Sequence, residues 1–261
     1  MLEFFKYHGA GNDFIMIDNR SNTFTPEIGV VEFLCRRHFG ISADGLILLE
    51  NNAGGLLKMR YFNSDGKEAT MCGNGGRCFV AFAKQLRLTD KSLTFSAIDG
   101  IHEAKIIATD RKSFTIKLKM NDVTQITTHP EGIFADTGSP HLVVFVNGIG
   151  NLDVVAKGRD LRTMDKWGKT GVNVNFAEVK DGRILSRTYE RGVENETLAC
   201  GTGAIAMALA TAYKGLLTNT PIEIHALGGV LKVHFESGHN RFTNVWLEGP
   251  AAMVFRGEIE I

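Results

Sequence analysis

Apolar and polar positions alternate along much of this chain. The segment Ser113-Phe-Thr-Ile-Lys-Leu-Lys119 changes character at every residue, which is the period of a half-buried antiparallel strand. Short runs rich in β-branched and aromatic residues, bounded by Gly, Asn or Asp, predict strands over 2–7, 14–18, 46–50, 57–62, 92–97, 101–109 and 113–119. Further strands are predicted over 141–146, 174–179, 184–190, 222–226, 231–236, 243–248 and 252–260. Helical periodicity is confined to 26–38, 75–88, 202–217 and a shorter stretch at 159–167. The first of these has a proline near its start and would place Arg36, Arg37 and His38 in its last turn, which suits the helix dipole. The helices at 75 and 202 are apolar almost all round in their first half, so both should be buried on every side.

These two buried helices open alike. Met71-Cys-Gly-Asn-Gly-Gly-Arg77 precedes one and Ala199-Cys-Gly-Thr-Gly-Ala-Ile205 the other, with the cysteines 128 residues apart (200 − 72). At the same offset Glu68 aligns with Glu196 and Tyr61 with Tyr189, while Gly11 has its echo in Gly138 at an offset of 127. Several matches at one spacing point to duplication. The predicted fold is α+β, with two pseudo-symmetric halves. Each would be a curved, mostly antiparallel, barrel-like sheet around a buried central helix, and the active site would lie in the cleft between them. The halves are expected at 1–120 and 121–251, with the strand 252–261 packing back onto the first.

Composition narrows the function. Twenty-nine Lys and Arg balance 29 Asp and Glu, so the basic footprint that phosphate backbones require is absent and nucleic acid is not an expected partner. The longest uncharged run, 198–213, is too short and glycine-rich to span a membrane. The first residues have neither the basic start nor the apolar core of a signal peptide, and Cys35, Cys72, Cys78 and Cys200 make no disulfide framework. The expectation is a soluble cytoplasmic protein with reduced thiols. Glycine at 29 residues against five prolines indicates tight backbone turns within ordered structure.

A Cys-Gly-x-Gly at two helix starts carries specific chemistry. A helix N-terminus offers unpaired N–H groups and about half a positive charge, which binds anions and stabilises a thiolate. Two sulfurs facing one cleft could serve as proton donor and acceptor on opposite faces of a carboxylate-bearing carbon. Cys35 and Cys78 lack duplicates and read as inert packing. Zinc is not expected, because no second Cys or His pair stands at ligand spacing. Gly201-Thr-Gly-Ala-Ile-Ala206 does fit a dinucleotide fingerprint, but the preceding strand ends some ten residues too early for the strand–turn–helix geometry. Loops at Asn63 and Asn175 are explained by turn chemistry alone. Glu190-Arg191, within ten residues of Cys200, is harder to reduce to a turn.

Together these residues resemble the diaminopimelate epimerases, cofactor-independent enzymes of lysine and peptidoglycan-precursor synthesis. The resemblance runs through His8-Gly-Ala-Gly-Asn-Asp-Phe14, Ala43-Asp-Gly45, Asn63-Ser-Asp-Gly66, both cysteine motifs, Gly138-Ser-Pro-His141, Asn173-Val-Asn-Phe176, Glu190-Arg-Gly192 and Glu196-Thr-Leu-Ala199. It implies epimerisation of LL- to meso-diaminopimelate by 1,1-proton transfer, with Cys72 and Cys200 as the two bases and no cofactor or metal. It implies that the amides of Gly73, Asn74, Gly201 and Thr202 hold the reacting carboxylate. Asn12 and Glu190 would meet the amino group, and Glu190 and His141 would assist proton movement. Asn63, Asn173 and Arg191 would recognise the distal end, where the planar Arg fork suits a carboxylate. A homodimer is common in such enzymes, though no segment here proves one. The chain departs from the pattern at Ser139, where many members carry Asn, and at Gly45, where some carry Gln; Gly45 is given no role. The wider superfamily includes proline racemases and phenazine-type isomerases, and a proline- or hydroxyproline-type racemase, or another isomerase of the same fold, is the alternative activity. A non-catalytic small-ligand binder or a thiol redox protein is the alternative of another class.

Overall fold

A computed structural model describes residues 1–238 and 241–261. Its contacts divide the chain into two units, Met1–Leu118 with Gly249–Ile261, and Lys119–Glu248. In the first unit the strands are β1 (Leu2–Gly9), β2 (Asn12–Asp18), β3 (Gly45–Asn51), β4 (Leu57–Asn63), β5 (Glu68–Ala69), β6 (Ser92–Ala97), β7 (Gly100–Asp110) and β8 (Ser113–Lys119). Helix α1 (Ile28–Cys35) joins β2 to β3, and α2 (Gly73–Gln85) joins β5 to β6. The second unit holds β9 (Ile126–His129), β10 (Gly132–Asp136), β11 (Pro140–Phe145), α3 (Val154–Arg162), β12 (Asn173–Lys180), β13 (Arg183–Glu190), β14 (Asn195–Thr197), α4 (Gly201–Tyr213), β15 (Ile222–Ala226) and β16 (Gly229–Gly238). Strand β17 (Arg241–Ile259) begins in the second unit and ends in the first.

Pairing follows one plan in both units. In the first, β1–β2–β3–β4–β6–β7–β8 is completed by the last part of β17, which pairs with both β8 and β1, so eight strands form a closed barrel. The second repeats the order as β9–β10–β11–β12–β13–β15–β16–β17, and a Val123–Phe242 bridge ties the segment before β9 to β17. A parallel step recurs at equivalent places, β2–β3 and β11–β12, with a helix as the crossover, as parallel neighbours require.

The barrel interiors are filled by α2 and α4. Helix α2 packs on β1, β2, β3, β4 and β7, and α4 on β10 to β13, β15 and β16. All residues from Gly73 to Ala83 are buried, and aromatic pairs such as Phe79–Phe95 (ring centroids 4.9 Å apart) and Phe5–Phe82 (5.0 Å) fill the space. Each fully buried Phe or Val side chain contributes on the order of 1.5–3 kcal/mol of transfer free energy.

Several element boundaries differ from those predicted. Helix α1 ends at Cys35, because Arg36 is extended and Gly40 folds back against the helix end, where a Cβ would lie 2.0 Å from the Phe33 carbonyl. Arg36, Arg37 and His38 therefore lie outside the helix, and they do not form a cationic last turn against its dipole. Helix α3 begins at Val154, where Asp153 caps it by accepting from the Ala156 N–H (3.0 Å). Its Gly158 sits against Tyr189, where a Cβ would come within 2.4 Å, so packing rather than propensity set that residue. The two predicted strands at 243–248 and 252–260 are one strand. Pro250 is tolerated because it pairs with β8 only, in the gap between the β16 and β1 registers. The short strands β5, β9, β10 and β14 lie outside the predicted set.

Candidate active site

In the first unit Cys72 is the extended residue (φ −86°, ψ 131°) immediately before α2, and its side chain makes no capping bond to the opening amides of the helix. Beside it lies Asn12, the first residue of β2, positioned by a tight hairpin whose turn residues Ala10 and Gly11 both have positive φ. Asn12 Oδ1 is 3.7 Å from Cys72 Sγ and accepts from Asn74 Nδ2 at 3.2 Å. Asn12 Nδ2 donates to the Asp44 carboxylate at 2.6 Å. Burial raises the Asp44 pKa above the ordinary range, and its hydrogen bond from Asn12 opposes this. Asn74 Oδ1 in turn accepts from the Arg77 guanidinium at 2.8 Å. Arg77 is completely buried and spends its other donors on the Gly73 and Pro250 carbonyls. Asn63 stands exposed at the end of β4, in register with Gly45, which is itself in register with Phe14 two residues beyond Asn12. A Cβ at Gly45 would lie 2.5 Å from the Phe62 carbonyl, which accounts for glycine there.

In the second unit Cys200 precedes α4 in the same way, extended and without a side-chain cap. Its Sγ is 3.5 Å from Thr202 Oγ1. Thr202 Oγ1 is 2.9 Å from His141 Nε2, and His141 Nδ1 is 3.0 Å from Asn175 Nδ2. Asn175 Oδ1 accepts from Thr188 Oγ1 at 3.1 Å. His141 is fully buried, and desolvation, helped by the Arg191 charge, pushes its pKa down to about 3, so it is neutral at neutral pH. Asn173, in register with His141, donates to Ser139 Oγ (2.9 Å) and accepts from the Arg191 backbone N–H (2.8 Å). Glu190 ends β13, with Arg191 next to it, both half-buried.

Most of the residues named from sequence thus gather into two sets: Asn12, Cys72, Gly73 and Asn74 around the start of α2, and His141, Asn173, Arg191, Cys200, Gly201 and Thr202 around the start of α4; Glu190 adjoins Arg191 at the end of β13, and Asn63 stands at the end of β4. Cys35 and Cys78 are buried and neither precedes a helix, Cys35 ending α1 and Cys78 lying within α2; burial pushes the Cys35 thiol up to about 12 and the Cys78 thiol up as well. Asn175, which turn chemistry alone would explain in the sequence, is a fully buried member of the second set. Asp44 and Arg77 lie within the sequence motifs, yet their types and spacing assign them no part. The one signal for Arg77 is a single cation in the otherwise apolar first half of its helix.

A profile described as "Diaminopimelate epimerase" matches residues 4–126 and 133–254. The chain belongs to the diaminopimelate epimerase family. A "Diaminopimelate epimerase" of Flavobacterium psychrophilum is 47% identical over 260 residues, covering 99% of this chain and 100% of that protein. Among solved structures, a phenazine biosynthesis protein of the PhzF family from Bacillus anthracis superposes with a TM-score of 0.77 at 16% identity, covering 100% of this chain and 99% of that one. A hydroxyproline epimerase from Agrobacterium vitis gives 0.70 at 16% identity, covering 98% and 91%. At such identities these two share the fold, and the family membership rests on the sequence matches.

Proposed function

We propose that this protein interconverts LL- and meso-diaminopimelate by moving the α-proton between Cys72 and Cys200. One thiolate removes the proton from the α-carbon, and the other thiol delivers its proton to the opposite face. The two sulfurs then hold exchanged ionisation states, so protons and charge balance within the protein. The observation that carries this reading is the matched pair of cysteines, each immediately before a buried 13-residue helix in a unit of the same plan. The opening amides of the helices, at Gly73-Asn74 and Gly201-Thr202, would stabilise charge that develops on the α-carboxylate. Asn12 and Glu190 would meet the amino group, and Asn63 and Arg191 the distal end. Asn173 would serve there by holding the Arg191 backbone and Ser139. The same reading places the enzyme in the cytoplasm, where thiols stay reduced.

The test is incubation with each stereoisomer in deuterated water under reducing conditions. Both isomers should convert and acquire one α-deuterium; no exchange with either would overturn the assignment. A racemase of the proline type, the alternative within this fold, has no distal carboxylate in its substrate. Arg191→Ala should therefore cost roughly 100-fold in diaminopimelate turnover, the worth of a lost charge-assisted pair.

A further inference from the structure

Arg77 is the one cation in the first half of α2, and three features of its place are unfavourable. It is completely buried, so a guanidinium that keeps its charge in proteins is stripped of water. It lies in the second turn of the helix, close to the end where the macrodipole already concentrates positive charge. Among the described residues no carboxylate pairs with it. Its partners are the Pro250 carbonyl (from Nε, 3.3 Å), the Gly73 carbonyl (from Nη1, 3.1 Å) and Asn74 Oδ1 (from Nη2, 2.8 Å). These dipoles satisfy its donors and leave its charge unbalanced.

The fold does not require a cation here. At the 128-residue offset the equivalent of Arg77 is Ile205 (77 + 128), which is equally buried in α4, so a barrel of this plan closes around an aliphatic side chain. The first unit instead makes room for the guanidinium: a Cβ on Gly9 of β1 would lie 3.3 Å from Arg77 Nη2 and 3.0 Å from the Asn74 carbonyl. A buried charge without a partner is strongly destabilising, and an anion at the site offsets it. Gly76 N–H donates to the Cys72 carbonyl at 2.7 Å, which sets Cys72 one turn before Arg77. Burial lowers the Arg77 pKa, and its charge couples favourably to two thiols, Cys78 and Cys72. Burial pushes the Cys78 thiol up, so it stays neutral, and Cys72 is the thiol left to carry the balancing charge. The Gly73 carbonyl and the Asn74 N–H belong to one peptide unit. A carbonyl that accepts from a guanidinium strengthens that N–H as a donor to an anion at the helix start.

We propose that Arg77 is the fixed counter-cation of the first half-site, a positioning residue that stabilises the thiolate of Cys72; this deepens the epimerase reading and rests on it for the part that thiolate plays in the reaction. The other cations around this end of α2 have carboxylate partners. Lys6 of β1 pairs with Asp13 of β2 (2.7 Å), Arg60 of β4 with Glu68 of β5 (2.7 Å), and His102 of β7 lies 3.2 Å from Asp99. Asp44, just before β3, accepts from Asn12, and Tyr7 of β1 couples to Cys78. Toward Gly75 and Gly76 the strands β2, β3, β4 and β8 present the apolar side chains of Phe14, Ile47, Met59 and Leu118. Arg77 is therefore the unbalanced cation of this group.

Site-resolved alkylation tests this without substrate. The intact protein is treated briefly with iodoacetamide from pH 5 to 9, and the modification of Cys72 and Cys200 is read by mass spectrometry. In the unmodified chain Cys72 should reach half its maximal rate below the ordinary thiol value of about 8.5. Arg77→Gln keeps donors for the carbonyls and loses the charge. Its Cys72 midpoint should rise by about one pH unit or more while that of Cys200 stays in place. Arg77→Lys keeps the charge and should hold the Cys72 midpoint within about half a unit of the unmodified chain. A Cys72 midpoint at or above about 8.5 in the unmodified chain overturns the proposal whatever the variants do. So does a midpoint that stays in place in Arg77→Gln, or one that rises equally in both variants, which would reduce Arg77 to packing. Unmoved midpoints with intact α-deuterium exchange sink only the part assigned to Arg77, whereas lost exchange with the predicted midpoints sinks only the choice of substrate.

Discussion

Gly75 and Gly203 occupy equivalent places in the two cysteine motifs, three residues after each sulfur-bearing residue, yet they face different neighbours. A Cβ on Gly203 would lie 2.3 Å from Asn175 Oδ1 and 3.2 Å from Cys200 Cβ. A Cβ on Gly75 would meet Ile47 Cδ1 at 3.0 Å and Met59 Cε at 3.4 Å, the mobile ends of flexible side chains. Alanine adds about 1 kcal/mol of helix propensity at either position. At 75 small movements of Ile47 and Met59 should absorb the methyl. At 203 the methyl should displace Asn175 and with it His141. Gly203→Ala is thus expected to lower turnover at least about tenfold and to lower the melting temperature, while Gly75→Ala changes each far less. Parallel kinetics and calorimetry on the two variants check this. The glycines of these motifs are legible from sequence as sites of close backbone approach. That Gly203 makes room for a buried amide is not, because Asn175 is distant in sequence and resembles a turn residue.

Between the barrel strands and each cysteine lies a short strand, β5 or β14, and each is tied back by an arginine. Arg60 grips Glu68 through Nε and Nη2 at 2.9 and 2.7 Å, and Arg187 grips Glu196 at 2.6 and 2.7 Å. Glu68 and Glu196 each stand four residues before a cysteine, so both forks anchor the chain that enters a half-site. The hydrogen bond from Arg60 holds the Glu68 carboxyl below its usual 4.5. A depressed carboxylate adds stability above its unfolded pKa and loses it as pH falls through the folded one. Glu68→Gln should therefore be less stable than the unmodified protein at pH 7, by about 1 kcal/mol, and the gap should shrink once the pH is taken below 4.5. Urea titrations at the two pH values measure it. The alignment of the two glutamates is visible in the sequence. Their arginine partners are not, since β5 and β14 are too short to announce themselves by alternation.

At the scale of the molecule, duplication gives two units of one plan with unlike chemistry at equivalent places. The second carries a buried neutral imidazole, His141, whose pKa of about 3 lies below its ordinary 6.5. The unfolded chain therefore binds a proton there first. Below pH 6.5 the stability supplied by keeping His141 neutral is progressively lost until the folded group itself titrates near pH 3. The loss is on the order of several kcal/mol, because each tenfold difference in proton affinity between folded and unfolded chain is worth about 1.4 kcal/mol. Calorimetry between pH 7 and 4 should show a steep decline, and His141→Gln should flatten it; an equal slope in both proteins would contradict the assigned burial.

Alternation, glycine placement and the 128-residue repeat determined that the chain forms two strand-rich halves with a cysteine before each buried helix, because these depend on local period and on spacing along the chain. Where α1 stops, where α3 starts and how β17 runs through Pro250 were decided by packing partners remote in sequence. So were the partners of the asparagine amides beside each cysteine. The direction in which Asn12 and Asn175 turn their amides follows from Asp44 and from the Leu142 carbonyl, and only the folded chain brings those groups within hydrogen-bonding reach.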